Sequence, residues 1–583
     1  MIHPIAVGAV VAVAVVTLAA GARGLRVART PADFLVATRA VPPALNASAI
    51  SGEYLSAASF LGIAALVMVD GLGALWYAVG YLAGYLVLLT LVAAPLRRFG
   101  AYTIPDFAEG RLDSPALRRV ATFMVLVICG FYVLPQLTGA GLTMQAVLGT
   151  PGWVGVTALG SVVTLAIASG GMKSITLAQA VQYWIKLVAL LVPAVVLLSL
   201  AHRPPVGAIE GRAGPVFART TTVRFPGPET IVVARPVTVR ISGVLLRSGG
   251  APVGDGPRRL TAGAWEVRAG TSVAFPAGPA PEVRGAHAVS GSAWTSPLVL
   301  TDGRPIHPLA ATYGVIIATF LGALGLPHIL VRFYTNVDGR AARRTTAFVL
   351  LLLSCFYVLP GIFGWLGRLD APGLYTSGQT QSVVLALPAL QAQGLTGSVL
   401  GALTAAGAFA AFLSTTSGLL IAMAGALSHD ILHRGPVAFR LSALGLGLAA
   451  TAGGLAVGAF PISVLVGWAF AVAASSFCPL LVLGIWWPGL TRHGALAGVV
   501  LGGGAASGAV VATMAGLGTG GWAAVLLGTP AIWTVPLAFG TMLVVSRLTP
   551  WGRPEDVTAK LLALHLPESV RRRPLAGFRP RGT

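Results

Sequence analysis

Apolar segments long enough to cross a membrane recur thirteen times along the chain. Each holds about 20 residues with few charges, the length at which an α-helix spans the hydrocarbon core of a bilayer. With 55% hydrophobic and only 10% charged residues, the composition excludes a soluble globular protein. We therefore predict an all-α polytopic membrane protein, with helices at 4–21, 43–70, 72–95, 116–148, 153–170, 175–200, 309–335, 341–367, 397–431, 437–460, 462–487, 493–516 and 528–548.

The formal charge of +21 does not indicate a nucleic-acid partner. The chain has only three lysines, and most arginines lie between apolar segments or in one long loop, so they do not form a phosphate-binding face. Basic residues follow each odd-numbered helix up to the eleventh, whereas the short intervening loops carry almost none. The positive-inside rule then predicts a multi-pass plasma-membrane protein with its N-terminus outside and the tail at Arg571, Arg572 and Arg573 in the cytoplasm.

The first apolar segment has two interpretations. Small residues follow it, as in a signal peptide, but it begins without lysine or arginine, which favours a retained helix.

The segment 201–306 also has two interpretations. Because six predicted helices precede it, the segment lies on the same side as the N-terminus, outside the cell. The β-branched residues at 230–241 between Pro-Gly turns indicate short strands. The many arginines, prolines and glycines of the segment also fit a disordered loop.

Helix parity predicts an inverted repeat. If helices two to six form one unit and seven to eleven another, each unit has an odd number of spans, so the second is inserted upside down relative to the first. The predicted organisation is an extra helix at 1–30, repeats at 31–200 and 307–488, the extracytoplasmic insert at 201–306, two further helices at 489–548 and a basic cytoplasmic tail at 549–583.

The first helix of each unit carries the signs of a break. Residues 51–62 (SGEYLSAASFLG) place a glutamate, a tyrosine, serines and glycines at membrane depth, and Gly52 is expected to interrupt the helix. Gly322, Gly325 and Pro327 are expected to interrupt the seventh helix. Paired breaks of this kind indicate the central site of a transporter.

A second polar cluster lies in the ninth helix, where Ser414, Thr415 and Ser417 offer hydroxyl oxygens. Hydroxyls and freed carbonyls are hard ligands that suit a cation such as sodium. Taken alone, the cluster is more typical of serine and threonine hydroxyls that join membrane helices or bond to their own backbone.

Together these stretches resemble the sodium:solute symporter family, in its cation/acetate symporter or monocarboxylate permease branch. The resemblance runs from about Asp33 to Arg547 without the long loop. It rests on the motifs at 52–62 (GEYLSAASFLG), 98–106 (RFGAYTIPD), 325–334 (GLPHILVRFY), 428–430 (SHD) and 469–475 (AFAVAAS). The resemblance implies inverted five-helix repeats of the leucine-transporter type, with sodium as coupling ion and no other cofactor.

The family's sodium site can be transferred position by position onto this sequence. The resemblance implies sodium ligands at the carbonyls of Gly52, Leu55 and Ala411 and at the hydroxyls of Ser414 and Thr415. Other branches have an aspartate on the sixth helix where this chain has Gln179, which weakens the field on a cation. The coupling candidates are therefore Gln179, Glu53 and Lys186.

Lys186 lies seven residues beyond Gln179, within about 20° of the same helix face. An ionisable residue near mid-membrane is a candidate proton carrier or counter-charge for an anionic substrate. The alternative is a lysine that snorkels to an interface or pairs with a carbonyl. For Glu53, the alternative is a salt bridge to an arginine at the cytoplasmic mouth.

The resemblance places a substrate pocket beside the ion, at Tyr54, Ser56, Gln136 and His328. Freed N–H groups at the broken helix ends suit a small carboxylate. Gln136 can alternatively join two helices, and His328 can satisfy the kink at Pro327.

The sequence thus predicts a symporter that couples sodium influx to uptake of a short-chain monocarboxylate such as acetate, propionate or pyruvate. The alternatives are proton coupling and a symporter-like membrane sensor, against which the short tail argues. We predict no enzyme, because nucleophile-base motifs, metal-ligand clusters and phosphate loops are absent and the three cysteines lie in separate apolar segments.

Overall fold

The computed structural model describes residues 4–27, 37–201, 215–247, 252–283, 289, 291–300, 307–392, 394–432, 435–457, 460–518 and 520–567. The predicted cytoplasmic arginines Arg571, Arg572 and Arg573 lie outside these ranges. The helices are α1 (Pro4–Val27), α2 (Pro43–Tyr54), α3 (Ile63–Asp70), α4 (Trp76–Val87), α5 (Ala93–Phe99), α6 (Ile104–Leu112), α7 (Pro115–Leu148), α8 (Gly152–Leu200), α9 (Gly291–Trp294), α10 (Pro308–Gly325), α11 (Pro327–Phe333), α12 (Gly339–Asp370), α13 (Pro372–Thr376), α14 (Val383–Gln391), α15 (Gly394–Gly425), α16 (Pro436–Ala456), α17 (Ile462–Ala474), α18 (Phe477–Trp486), α19 (Arg492–Gly498), α20 (Gly504–Met514), α21 (Gly521–Gly528), α22 (Ala531–Leu548) and α23 (Val557–His565).

Twelve helical stretches in the described ranges are long and apolar enough to cross a membrane. The bent pair of Pro43–Tyr54 and Ala58–Asp70 makes a thirteenth span if it is counted as one. Wider π-helical turns extend or link several of these helices, at Ala58–Gly62, Leu88–Val92, Ala426–Ile431 and Val499–Gly503. The helical, multi-pass fold predicted from the apolar segments is therefore confirmed.

One predicted boundary differs. The sequence predicts separate helices at 153–170 and 175–200, whereas α8 is helical throughout its 49 residues. The two stretches nevertheless face the same turn of α1, because Gln182 bonds to Thr17 and a Cβ on Gly21 would meet Ala166. Sixteen residues of straight helix would hold Ala166 and Gln182 about 24 Å apart, so the chain bends sharply between the stretches. Each stretch, Gly152–Gly170 and Ile175–Leu200, is still long enough to span a membrane.

The second predicted helix is broken, but not at the glycine that suggested the break. Gly52 is helical within α2, and the chain leaves the helix at Leu55, with φ −74° and ψ 88°. The segments on either side meet at an angle of 68°. A Cβ on Gly52 would collide with the backbone carbonyl of Gln179 on α8. Gly52 therefore permits close contact between α2 and α8, and the break lies three residues further on.

The seventh predicted helix is broken as expected. α10 ends at Gly325, Leu326 is extended with ψ 113°, and α11 begins at Pro327. Side chains at Gly322 and Gly325 would collide with the carbonyls of Phe470 and Ala473 on α17. As at Gly52, the glycines allow a close helix contact, while Pro327 begins the new helix because it has no N–H to donate.

The described part of the insert contains strands. They are β1 (Val216–Phe217), β2 (Thr221–Arg224), β3 (Glu229–Val233), β4 (Val237–Ser242), β5 (Leu245–Arg247), β6 (Pro252–Val253), β7 (Gly256–Leu260), β8 (Gly263–Val267), β9 (Ser272–Phe275), β10 (Gly278–Pro279) and β11 (Glu282–Val283). They form antiparallel sheets ordered β11-β3-β8-β5-β6, β2-β9-β4-β7 and β1-β10. Residues 230–241, which suggested strands, lie in β3 and β4, and a separate apolar core includes Phe225, Ile231 and Val273.

We predict that Gly52→Ala destabilises the protein by about 1 to 3 kcal/mol, because its Cβ meets the α8 backbone, which cannot turn aside as a side chain can. The matched control is Gly130→Ala on α7, where a Cβ meets nothing within 4 Å. Thermal unfolding of the purified proteins in detergent measures both. Equal midpoints for the two variants would contradict the close contact.

Candidate ion and substrate site

The break after α2 frees backbone groups that a continuous helix would pair. Beyond the break, the N–H of Ala57 donates to Oε1 of Gln136 on α7, at 2.8 Å. Gln136 also donates from Nε2 to the carbonyl of Tyr132, at 3.3 Å. The interpretation of Gln136 as a residue that joins two helices is thus seen directly. Its amide holds the broken end of the helix in place from the neighbouring helix.

The freed carbonyls of Gly52 and Leu55 both face Lys186 of α8. Nζ of Lys186 donates to the carbonyl of Gly52, to the carbonyl of Leu55 at 2.7 Å and to Oγ of Ser414 at 2.6 Å. The lysine is fully buried. Of the two alternatives for this residue, snorkelling and pairing with carbonyls, the structure has the second, and the carbonyls are those of the predicted sodium site.

The two remaining predicted ligands make bonds within the protein. The carbonyl of Ala411 lies 3.0 Å from Oγ of Ser414, which also lies 2.7 Å from the carbonyl of Gly52. The hydroxyl of Thr415 donates to the carbonyl of Glu53, at 2.6 Å. α2 and α15 are therefore joined directly at the break, by hydroxyls from α15 and carbonyls from α2.

The arrangement allows a test of whether sodium fits at this position. The oxygen types suit a hard cation, as the sequence predicts. However, an ammonium already binds three of the five predicted ligand atoms, Gly52 O, Leu55 O and Ser414 Oγ. A cation at their centre would overlap Nζ of Lys186. In this arrangement the site does not fit a sodium ion.

A buried ion pair lies next to this position. Oε2 of Glu53 accepts a hydrogen bond from Nε of Arg332 on α11 at 2.6 Å, and both side chains are almost completely inaccessible to solvent. Arg332 also donates to Thr176 at 2.9 Å and to Oε1 of Gln179. Gln179 in turn donates to the carbonyl of Ser414 at 2.9 Å. The network joins α2, α8, α11 and α15.

Arg332 was not among the candidate site residues, although it lies in one of the motifs. Glu53 does form a salt bridge to an arginine, as its predicted alternative has it, while the location at the cytoplasmic mouth stays a prediction. A signal was available, because a carboxylate at membrane depth requires a cationic partner, and Arg332 lies seven residues beyond the break at Gly325. Gly418 makes room for the pair, since a Cβ there would collide with the carboxylate of Glu53.

Aromatic rings pack beside the break. Tyr54 lies edge-on to Tyr85, with ring centroids 4.7 Å apart, and donates its hydroxyl to the carbonyl of Tyr81 at 3.3 Å. Phe470 of α17 contacts both Tyr54 and Tyr132. This aromatic cluster consists of Tyr54, Tyr81, Tyr85, Tyr132, Tyr357 and Phe470.

Polar atoms without partners face the same region. Oγ of Ser56 and both ring nitrogens of His328 are buried and have no hydrogen-bond partner among the described residues. The His328 ring lies edge-on to Tyr132, 5.2 Å between centroids. Buried polar groups normally have partners, so unpaired ones beside a helix break indicate a ligand site. The structure thus places Tyr54, Ser56 and His328 around one aromatic cluster, with Gln136 at its edge.

A cavity of about 460 Å³ lies between this cluster and the end of the bundle that carries the insert. Its lining includes Gly62, Tyr77, Thr319 and Trp468. Tyr77 in this lining packs against Tyr81, so one side chain separates the cavity from the aromatic cluster. Toward the opposite end, the pair of Glu53 and Arg332 blocks the way.

Two broken helices that meet at a buried polar site, within a bundle of membrane-spanning helices, define a membrane transporter and not an enzyme. The sequence matches the sodium:solute symporter family over residues 34–205 and 299–502. The chain belongs to this family, and membership supports sodium-coupled solute symport. The match stops on either side of the strand-rich insert, so the insert is an addition to the family's common fold.

Individual relatives agree with this assignment. The chain is 26% identical over 485 residues to an uncharacterized symporter, YwcA, of Bacillus subtilis (strain 168), covering 81% of this chain and 79% of the relative. A solved structure of a Na⁺-coupled sialic acid symporter, substrate-bound and outward-open, superposes with a TM-score of 0.59 at 12% identity. It covers 93% of this chain and 98% of the other. The leucine-transporter type of fold is thereby confirmed.

We predict that Arg332→Met lowers the stability by about 3 to 5 kcal/mol, because Glu53 is left buried without its cationic partner. The double variant Glu53→Gln with Arg332→Met removes both charges and is expected to recover most of the loss. Thermal unfolding midpoints of the two variants measure this difference. A double variant as unstable as Arg332→Met would show that packing, and not the charge pair, is decisive.

Proposed function

We propose that the protein is a secondary active symporter that takes up a short-chain monocarboxylate, such as acetate, propionate or pyruvate, together with a cation. The observation that carries the substrate class is the charge balance at the break. Two buried cationic side chains, Lys186 and Arg332, face a single buried carboxylate, Glu53. While Lys186 is protonated, a monoanion would balance the remaining positive charge, whereas a neutral or cationic solute would leave it uncompensated.

The walls of the site favour a small substrate. The aromatic cluster supplies mostly apolar surface. The polar atoms there without a hydrogen-bond partner among the described residues include the hydroxyls of Ser56, Tyr81 and Tyr85 and the His328 ring nitrogens. A carboxylate with a short apolar tail matches this mixture, because the tail contacts the rings while the oxygens accept hydrogen bonds. A large sugar acid would require many more polar partners.

The proposed transport mechanism is alternating access, in which one end of the site is open and the other is closed by a buried ion pair. The substrate enters through the cavity on the insert side and binds beside the break, while the Glu53–Arg332 pair closes the opposite end. Release requires α11 to move away from α2, which separates that pair. Alternating access of this kind uses the two broken helices as the moving parts.

Two coupling ions are candidates. Sodium is supported by the family assignment. A proton-coupled symporter for the same substrates is the second candidate, because Lys186 binds three of the predicted sodium ligands. Uptake of radiolabelled acetate, propionate and pyruvate into proteoliposomes, under separately imposed sodium and proton gradients, distinguishes them. Absence of uptake under every gradient would contradict the proposed substrate class.

We predict that Ser56→Ala raises the KM for the transported carboxylate about tenfold, the effect of losing one hydrogen bond of roughly 1.4 kcal/mol. The matched control is Ser354→Ala on α12, whose exposed hydroxyl bonds only to the Leu350 carbonyl of its own helix. Initial uptake rates over a range of substrate concentrations measure both. Equal KM values for Ser56→Ala and the control would remove Ser56 from the substrate pocket.

A further inference from the structure

The ammonium of Lys186 is completely coordinated. A lysine ammonium has three N–H donors, and the three acceptors around Nζ are Gly52 O, Leu55 O and Ser414 Oγ. Two of these three acceptors are backbone carbonyls at the break, where no helical N–H is present to pair with them. The N–H groups of the lysine thus take the place of the missing helical donors.

We propose that Lys186 is a covalently tethered substitute for sodium at the helix break, so that this position in the wild-type protein binds no sodium. The inference deepens the proposed function by assigning the charge that holds the α2 break against α15. It concerns one ion position and leaves the choice of substrate open.

The geometry leaves no space for a sodium ion and the Lys186 ammonium at the helix break together. Nζ lies 2.7 Å from the Leu55 carbonyl and 2.6 Å from Oγ of Ser414, so it stands where a metal ion would contact the same atoms. The other predicted ligands are also engaged, because Thr415 donates to the Glu53 carbonyl and Ser414 lies within hydrogen-bond distance of the Ala411 carbonyl. A sodium ion would have to displace the ammonium first.

Charge opposes a second cation in the same place. The nearest buried carboxylate, Glu53, is already paired with Arg332 at 2.6 Å. The neighbouring Gln179, which bonds to Arg332 and to the Ser414 carbonyl, is neutral and adds no negative charge. Sodium beside Lys186 would therefore be an uncompensated charge in a buried site.

Packing keeps the ammonium in place. α8 approaches α2 so closely that the Gln179 carbonyl would collide with a Cβ on Gly52, and Lys186 follows seven residues later on nearly the same face. The lysine side chain is fully buried in this arrangement. It can leave the carbonyls only if α8 moves away from α2. The loss of these bonds is then part of the opening of the site.

The test is sodium binding to the purified full-length protein, with ²²Na⁺ as the probe, compared with Lys186→Met. Methionine keeps much of the stem and removes the ammonium, which frees the oxygens. We expect saturable ²²Na⁺ binding to appear in Lys186→Met and to be lost again in Lys186→Met with Ser414→Ala. Sodium should also raise the unfolding midpoint of Lys186→Met by roughly 3 to 5 °C at saturation, with no such change in the wild type.

The matched control is Gln182→Met, which replaces another buried polar side chain one turn earlier on α8, bonded to Thr17 and outside the site. It should bind sodium as the wild type does. Wild-type sodium binding that Ser414→Ala abolishes would overturn the proposal, because sodium would then displace the lysine. Wild-type binding that Ser414→Ala leaves unchanged would place that ion elsewhere and agree with the proposal, provided that Lys186→Met gains a further site. Failure of a folded Lys186→Met to gain sodium binding would also overturn the proposal.

If Lys186→Met does not fold, the wild-type protein still decides the question, through the effect of Ser414→Ala on its sodium binding. The outcome is also separable from the proposed function. Sodium binding is measured without any carboxylate, so a failure of acetate, propionate and pyruvate uptake would contradict the substrate class and leave the assignment of Lys186 standing.

Discussion

The free carbonyls at the break of α2 require a positive partner, and the arrangement around the site follows from that need. In a membrane, unpaired backbone carbonyls are costly because no water is present to bond to them. Here Lys186 bonds to the carbonyls of Gly52 and Leu55 and to the Ser414 hydroxyl, which joins α8, α2 and α15 at one point. The break is stable only while these helices remain together.

A second charged group stabilises the same region from the other side. The pair of Glu53 and Arg332 connects α2 to α11, which is the helix that follows the second break. Through Gln179 this pair is bonded to α8 and α15 as well. Both broken helices therefore end in one buried network, and a movement that opens the site must break charged hydrogen bonds at both breaks. Such coupling suits alternating access.

Much of the fold could be predicted from sequence, because hydrophobic length is a strong signal in membrane proteins. The breaks at both helices and the strands at 230–241 were also visible. The exact place of the first break was not, because Gly52 is required by the contact with α8, and contacts between distant segments do not appear in local sequence. The same holds for Arg332, whose partner Glu53 is 279 residues away. Lys186 was recognised as a candidate, but its acceptors could not be deduced from helix periodicity.

The central claim is that an ammonium occupies the position between α2 and α15. An experimental density map of the protein in sodium-containing buffer, at a resolution that shows side chains and ions, tests it most directly. An ammonium there gives continuous density from the Lys186 side chain to the carbonyls of Gly52 and Leu55, with no separate peak between them. A distinct peak bound by those carbonyls and Ser414, with the Lys186 side chain turned away, would contradict it.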